Sequence, residues 1–289
     1  SMNKGASVAA NADSAVGILA ITTDVATIRN AGIDVARTAI ASDRQTVVDN
    51  DGSIAGNIDI GRGSGLASTF NNHAGATFQS GDNLYISWGV LNNAGTISPG
   101  GPGVFTTTRL TYGKFNQTST GTYAADLDFA NRRSDVLSTR EASYFGGTVT
   151  PLTHNPVRGT WLTVIHSDPV FPDGSVALTV ADRSPVFSYP LRMSEDRHDV
   201  LVSVNANFTP AGIALNGDQA AVAGHLQTLW NTGSVKAAPL FGTFTSIADA
   251  PSYLRALGTV ASDVSLARAS GRSQEDYAFL TRLMSCPYF

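Results

Sequence analysis

Short polar turns recur at a nearly constant interval in the first hundred residues of the chain. Four stretches, at residues 28–32, 48–52, 70–75 and 91–95, carry an apolar residue two positions before an Asn and a Gly two or three positions after it. The Asn residues are Asn30, Asn50, Asn72 and Asn93, so the spacings are 50 − 30 = 20, 72 − 50 = 22 and 93 − 72 = 21. This period predicts a repeat architecture.

Each repeat has the composition of short strands joined at sharp corners. Asn and Gly accept positive φ, so we expect them at the corners, with apolar residues alternating inward on the strands. One such unit cannot bury its apolar face, whereas stacked units can, which predicts a helix of strands with about 20 residues per coil. The residues expected to point inward are Ile33, Ile54, Phe78, Ile97, Val16, Ile18, Ile40, Ile58, Ile60, Leu66, Leu84 and Ile86.

Two other repeat or all-β architectures fit less well. A leucine-rich repeat needs Leu at fixed offsets, and these are absent. An up-and-down sandwich would have turns about every 8–12 residues. The predicted fold class is therefore mainly β: a stacked parallel β-helix, followed by a β-rich module and a helical C-terminal segment.

The repeat gives way to other patterns along the chain. From Gly113 onward, alternation as in residues 123–127 predicts further strands, which Pro and Gly turns interrupt. After about residue 216 the pattern becomes helical. Asp218 can cap a helix that runs through Leu229, residues 239–257 can hold two short helices, and residues 260–283 can form a longer one. We therefore divide the chain into 1–112, 113–215 and 216–289.

Composition and charge exclude several classes of protein. Only 15% of the residues are charged and Gly is abundant at 28 residues, the balance of a turn-rich β protein that is exported. The net charge of −4 gives no basic footprint for nucleic acid. No apolar run of about 18 residues predicts a membrane-spanning helix. The start at Ser1-Met2 indicates an internal fragment of a longer protein.

The sequence offers no convincing catalytic, cofactor or metal site. Asp126 and Asp128 share one face of a predicted strand, and we expect that face to be solvated. Asp49 and Asp51 flank a turn, and residues 195–199 are expected to be a charged loop. The five His residues show no metal-ligand spacing, and residues 63–65 (Gly-Ser-Gly) lack the strand-to-helix context of a nucleophile elbow. We predict no cofactor, no metal and no catalytic residues.

Several motifs resemble one protein family in their order. Residues 93–101 (NAGTISPGG) are similar to the motif that closes the passenger β-helix of autotransporters, and residues 115–123 are similar to the segment that follows it. Residues 134–137 (SDVL) and 146–149 (GGTV) resemble the start of the family's autochaperone region. The match continues in order through residues 199–202, 208–210 and 215–219. The one departure is at residues 138–141, where the family often has Gly.

The resemblance implies a fold and a function. It implies a right-handed parallel β-helix over residues 1–112 and an autochaperone cap over residues 113–215. Residues 216–289 would then be a helical linker that leads to an outer-membrane barrel. This barrel is the partner expected for the chain. The chain is then expected to be a monomeric, non-enzymatic stem and folding cap of an adhesin-like passenger. This passenger would be secreted through the periplasm to the surface of a Gram-negative bacterium, where a host or cell-surface ligand could bind it.

Three questions stay open at this stage. The single cysteine, Cys286, could pair with a cysteine of the barrel or could have no role. An extracellular β-helix enzyme that acts on polysaccharide is the alternative function, and it requires a carboxylate cluster on one face. Direct ligand binding by outward Thr, Asn and Ser ladders is the third possibility.

Overall fold

The chain folds into a parallel β-solenoid of about six turns, followed by a few C-terminal helices. The computed structural model describes residues 6–10, 16–181 and 184–269, so Cys286 and the end of the helix expected at 260–283 lie outside the described residues. The first ten strands are β1 (Ser7–Ala10), β2 (Val16–Ala20), β3 (Ala26–Asn30), β4 (Ile33–Ser42), β5 (Thr46–Asn50), β6 (Ser53–Ile60), β7 (Thr69–Asn72), β8 (Thr77–Asn93), β9 (Thr96–Pro99) and β10 (Thr107–Gln117).

The remaining strands complete the stack and lead to the helices. They are β11 (Thr122–Asp128), β12 (Arg133–Ser134), β13 (Val136–Thr139), β14 (Tyr144–Phe145), β15 (Thr148–His154), β16 (Trp161–Ser167), β17 (Thr179–Val180), β18 (Phe187–Ser188), β19 (Leu191–Met193), β20 (Asp199–Ser203) and β21 (Asn205–Ala206). The helices are α1 (Gly217–Asn231), a short 3-10 turn (Val235–Ala237), α2 (Ala238–Gly242) and α3 (Ala250–Ala269).

Three faces run along the solenoid, each built from parallel strands of successive coils. Face 1 contains β1, the first parts of β4, β6 and β8, then β9, β11, β15 and β17. Face 2 contains β2, the second parts of β4 and β6, the middle of β8, the first part of β10, then β13 and β16. Face 3 contains β3, β5, β7, the ends of β8 and β10, and β14.

The predicted repeat sets the register of face 3. Ile28, Val48, Phe70 and Leu91 pair in order from coil to coil, and all four side chains are buried. Side chains at the same position of successive coils stack because parallel strands keep identical register. The Asn residues two positions later stack in the same way, so the Asn period corresponds to the coil length.

The corner Asn residues differ in conformation from the expectation. None of the four has positive φ, and each lies buried at a strand end and forms side-chain hydrogen bonds to the next coil. Of the Gly residues that follow them, only Gly75 has positive φ. Close packing explains why Gly stands at two of the other positions: a Cβ on Gly52 would lie 2.2 Å from the carbonyl oxygen of Gly32, and a Cβ on Gly95 would lie 2.4 Å from that of Ala76.

Most residues expected to point inward do so, but three do not. Ile33 is 51% exposed, and Leu66 and Val16 are also exposed. Ile33 pairs with Ser53, whereas Asp34 pairs with Ile54 and occupies the inward position. The position after Gly32 therefore does not correspond to the position of Ile54. Ile33 lies one residue away from the inward position, and a shift of one residue places a strand side chain on the opposite face. Leu66 lies in an insertion outside the coil.

The parallel stack does not end where the sequence repeat ends. The boundary expected between residues 112 and 113 falls inside β10, and the parallel coils continue to β17. Two aromatic residues of this region stack inside the coils. Phe115 and Phe145 are fully buried, with ring centroids 5.1 Å apart.

The C-terminal helices begin and end somewhat differently from the prediction. Asn216, rather than Asp218, caps α1, and its side chain and that of Gln219 form a capping box. The residues after α2 form one continuous helix from Ala250 instead of separate helices on either side of residue 257. Among the described residues, no helix combines the length and hydropathy that a membrane span requires.

Candidate functional site

The C-terminal end of the solenoid is covered by antiparallel strands. The last long strand of face 2, β16, has β13 as its parallel neighbour on one side and β20 as an antiparallel neighbour on the other. β19 pairs with β20, and β18 pairs with β21. The chain thus satisfies the backbone edge of β16 with its own strands instead of a further coil, which protects an edge that could otherwise pair with another chain.

An aromatic cluster, which we call the cap cluster, holds the helices against these strands. Its centre is Phe208, whose ring centroid lies 6.0 Å from Phe187, 5.5 Å from Phe241 and 5.8 Å from Phe244. The hydroxyl of Tyr253 on α3 donates a 2.6 Å hydrogen bond to the carbonyl oxygen of Phe208. Phe208 is completely buried. Its contacts connect the antiparallel strands with α2 and α3.

A polar groove of about 530 Å³ crosses face 2 near the cap. Its floor is a row of outward side chains in register on neighbouring strands: Arg109 on β10, Ser138 on β13, His166 on β16 and Asp199 on β20. Asn83 on β8 precedes Arg109 in the same row. We call these five residues the face 2 row. Sequence reasoning missed it, because neighbours in the row are 26–33 residues apart and only the coil register brings them together.

Charged groups pair with each other at the cap end of the groove. The Nδ1 atom of His166 lies 2.9 Å from a carboxylate oxygen of Asp199, and its Nε2 atom lies 3.5 Å from Asp168. The Nε atom of Arg140 lies 3.4 Å from the other oxygen of Asp168. Both ring nitrogens of His166 therefore face carboxylates of the chain itself. The cap end of the groove thus presents charged side chains that are paired with one another.

Aromatic side chains lie beside the other end of the groove. The rings of Tyr85 and Tyr112 are 5.0 Å apart, and Trp88 meets Tyr112 edge to face at 6.0 Å. The guanidinium of Arg62 lies 4.3 Å from the centre of the Tyr85 ring. Trp88 is 64% exposed. We call Tyr85, Trp88 and Tyr112 the aromatic platform.

The two carboxylates that the sequence placed on a solvated face are buried, so that expectation is wrong. Asp126 and Asp128 are 0% and 7% exposed. Asp126 accepts a 2.7 Å hydrogen bond from the backbone N–H of Gly103, in the loop between β9 and β10, and lies 2.8 Å from the Nε2 atom of His154. A loop and a neighbouring strand, which alternation within β11 could not reveal, cover this face.

Asp135 lies next to this pair and has an unusual environment. Its two oxygens accept hydrogen bonds from the backbone N–H groups of Thr106 and Asp126. Burial raises the pKa of the Asp135 carboxyl to about 7, against the lowering effect of these hydrogen bonds and with a further increase from the charge of Asp126. These carboxylates form an internal network rather than an exposed catalytic pair.

The other sequence candidates lie apart from one another. Asp49 belongs to an outward amide ladder on face 3, and the 2.9 Å hydrogen bond from Asn71 lowers the pKa of its carboxyl. Asp51 is exposed at a bend. In the segment 195–199, residues 195–197 form the predicted exposed turn, but Asp199 begins β20 and faces the groove. Residues 63–65 lie in the loop between β6 and β7.

No metal site is evident in the part of the chain that the structure describes, where no group of three or more His, Cys, Asp or Glu residues could hold an ion. Comparison of the chain with protein-family models, with curated proteins and with solved structures found no match. Inference about function therefore depends on the covered end of the solenoid and on the surface of face 2.

Proposed function

We propose that this chain is the membrane-proximal stem and folding cap of a surface-exposed autotransporter passenger, and that it acts without catalysis. The covered C-terminal end of the solenoid is the observation that carries the proposal. A stack of parallel coils leaves a strand edge on each face and an apolar cross-section at each end. Here β20 pairs with the last long strand of face 2, β16, and the cap cluster packs the helices against the antiparallel strands at this end.

In this proposal the cap assists folding for a physical reason. The first coil of a solenoid has no neighbour on which to stack, so its formation costs chain entropy before stacking compensates for it. A cap that folds first offers a ready strand edge at β16, on which the coil before it can pair. Each added coil then buries another set of inward side chains, such as Leu91, Phe70 and Val48.

The same order of folding would assist secretion. When the C-terminal segment emerges first at the cell surface and folds, apolar burial and new backbone hydrogen bonds favour the addition of each following coil outside the membrane. We propose that the passenger's own outer-membrane barrel is the partner at this end, that the folded chain is a monomer at the cell surface, and that the whole protein is adhesin-like.

A secretion assay tests the proposal. In the source bacterium, Phe208→Ala in the cap cluster should lower display of protease-resistant passenger on the cell surface several-fold, without lowering its synthesis. Tyr144→Ala removes a 55% exposed ring on β14 that is not part of the cap cluster, so it should leave display unchanged. Equal display of the two variants contradicts a folding role for the cap.

The reading frame gives a second, cheaper test. Beyond the codon of Phe289, the proposal expects alternating amphipathic strands of about ten residues, as in outer-membrane barrels. A stop codon shortly after Phe289 contradicts the secretion role.

A further inference from the structure

The face 2 row forms a long, straight polar surface. Asn83, Arg109, Ser138, His166 and Asp199 occupy equivalent positions on five neighbouring strands. Neighbouring strands lie about 4.8 Å apart, so the row spans about 19 Å. A surface of this shape, with one polar group at each step, fits an extended linear ligand better than a compact small molecule.

Arg109 is the one cation of this row that has no partner. It is exposed, and no hydrogen bond, ion pair or ring contact of its guanidinium exists among the described residues. Its neighbours in the row, Asn83 and Ser138, are neutral. By contrast, Arg140 and His166 pair with Asp168 and Asp199. A guanidinium with its donors directed to solvent is ready to bind a carboxylate of a ligand in a bidentate manner.

Trp88 is held outward by an unfavourable backbone. Its φ is 48°, in the left-handed region that bulky residues rarely adopt. The next residue must be Gly, because a Cβ on Gly89 would lie 1.6 Å from the carbonyl oxygen of Ser68. A strained backbone at an exposed aromatic residue makes Trp88 a candidate for a functional role.

The aromatic platform lies beside the end of the row that Asn83 and Arg109 form. Tyr85 lies two residues after Asn83, on the same outward side of β8, and Tyr112 is on β10 with Arg109. Aromatic faces offer an apolar surface with a negative quadrupole. The C–H groups on one side of a sugar ring match such a surface, while the hydroxyl groups around the ring match Asn, Ser and Asp side chains.

We propose that face 2 binds an extended polysaccharide that contains uronic acids. Sugar rings stack on the exposed Trp88 and Tyr112, a carboxylate of the chain pairs with Arg109, and hydroxyl groups of following units contact Ser138 and Asp199. This inference goes beyond the stem and cap function and does not depend on it, because the surface is present whether or not the chain is secreted as proposed.

Two other extended ligands fit the surface less well. A peptide that adds a strand needs a free backbone edge, but β8, β10, β13 and β16 are paired on both sides on this face. A nucleic acid would place phosphates along the row, where Asp199 and Asp168 would repel them. A uronic acid chain can instead present its hydroxyl groups to these carboxylates and place one of its own carboxylates at Arg109.

Tryptophan fluorescence and calorimetry with defined oligosaccharides test the proposal. The probes are oligogalacturonate, oligomannuronate and hyaluronan oligosaccharides, each with its methyl-esterified form, which keeps the sugar rings and removes the charge. At least one acid should bind and change the fluorescence of the exposed Trp88, and its ester should bind at least about tenfold more weakly. Trp88→Ala should weaken binding about tenfold or more. Arg109→Gln should remove the preference for the acid over the ester.

Matched variants separate the site from general effects. Tyr144→Ala removes an exposed ring from face 3, and Lys236→Gln removes an exposed cation from the 3-10 turn; both should bind like the unaltered protein. The proposal is overturned if none of the acids binds at millimolar concentration. It is also overturned if ester and acid bind equally, or if the control variants weaken binding as much as Trp88→Ala.

Discussion

The side-chain amide of Asn50 donates a 2.8 Å hydrogen bond to the side-chain oxygen of Asn72, one coil further along the solenoid. The same bond connects Asn30 to Asn50 and Asn72 to Asn93, both at 2.8 Å, and Asn93 to Gln117 at 3.0 Å. Each amide nitrogen also donates to a backbone carbonyl of the following coil, as Asn50 does to Thr77. The amides therefore form one continuous inner ladder that fixes the corner of successive coils.

Asn72→Ala should break this inner ladder. The substitution removes the acceptor of Asn50 and the donor to Asn93 and to the carbonyl of Thr96, all in the interior. Buried groups without partners make this cost about 2–3 kcal/mol of unfolding free energy. Asn71→Ala, one residue earlier, removes a member of the partly exposed outer ladder and should cost about 0.5 kcal/mol. Urea denaturation of both variants measures the difference, and equal losses would show that the inner ladder adds no stability.

Gly52→Ala should destabilise the coils without any effect of positive φ. A Cβ at this position would meet the carbonyl oxygen of Gly32 in the preceding coil, so the coils must separate, at a cost of about 2–3 kcal/mol. Gly224→Ala is the opposite case. No atom lies within 4 Å of its added Cβ in the middle of α1, and loss of backbone freedom in the unfolded chain should stabilise by about 0.5–1 kcal/mol. Thermal unfolding distinguishes the two, and a neutral Gly52→Ala would contradict the close approach.

Stability should fall as pH rises from about 4 to 6 because of Asp34. This residue is completely buried, neither of its carboxylate oxygens has a hydrogen-bond partner among the described residues, and burial raises its pKa to about 6. The folded state thus binds a proton that the unfolded state has already released, and the loss across this window is about 3 kcal/mol.

Asp34→Val tests this account and continues the apolar stack with Ile54. It should raise the unfolding free energy more at pH 8 than at pH 4. The exposed Asp82→Val serves as the control, since it should change stability little at either pH. Parallel pH profiles for the unaltered protein and Asp34→Val would show that Asp34 is not the source of the slope. Asp135, whose pKa is raised to about 7, extends the decline of the unaltered protein above pH 6.

Phe208→Ala should loosen the cap. Loss of a buried ring that contacts Phe187, Phe241 and Phe244 should cost about 3–5 kcal/mol. Limited proteolysis should then cut first between residues 205 and 260, with the coils released as a resistant core. Tyr144→Ala should keep the pattern of the unaltered protein. Cleavage within the coils at the same rate as in the cap would contradict a separate, cooperative cap.

The sequence predicted the solenoid because its strongest signal is a local one. The Asn period equals the coil length, and inward residues such as Ile54 and Phe78 recur with it. The inward position of Asp34 could not be predicted. The apolar residue stands one position after Gly32 in one coil but two positions after Gly52 in the next, and a shift of one position reverses the face. The same limit applies after residue 113, where Gln117 replaces Asn in the ladder and the coils continue without the repeat.

The face 2 row and the burial of Asp126 depend on contacts between distant segments. Arg109, Ser138 and His166 meet only because β10, β13 and β16 stack in register. Nothing in the spacing of these residues specifies that register, because the coils after residue 100 vary in length. Asp126 is buried by a loop from an earlier coil, which alternation within one strand does not report. Sites on a solenoid face are therefore visible only after the coils are aligned.

The direction of folding tests the central proposal most directly. Pulsed hydrogen exchange during refolding of the whole chain measures when each backbone amide becomes protected. If the C-terminal region is a folding cap, protection appears first in β16, β20 and α1, then in β10 and β8, and last in β3 to β6. If amides of β3 to β6 become protected before the cap or together with it, the cap does not initiate folding, and the proposed function is wrong.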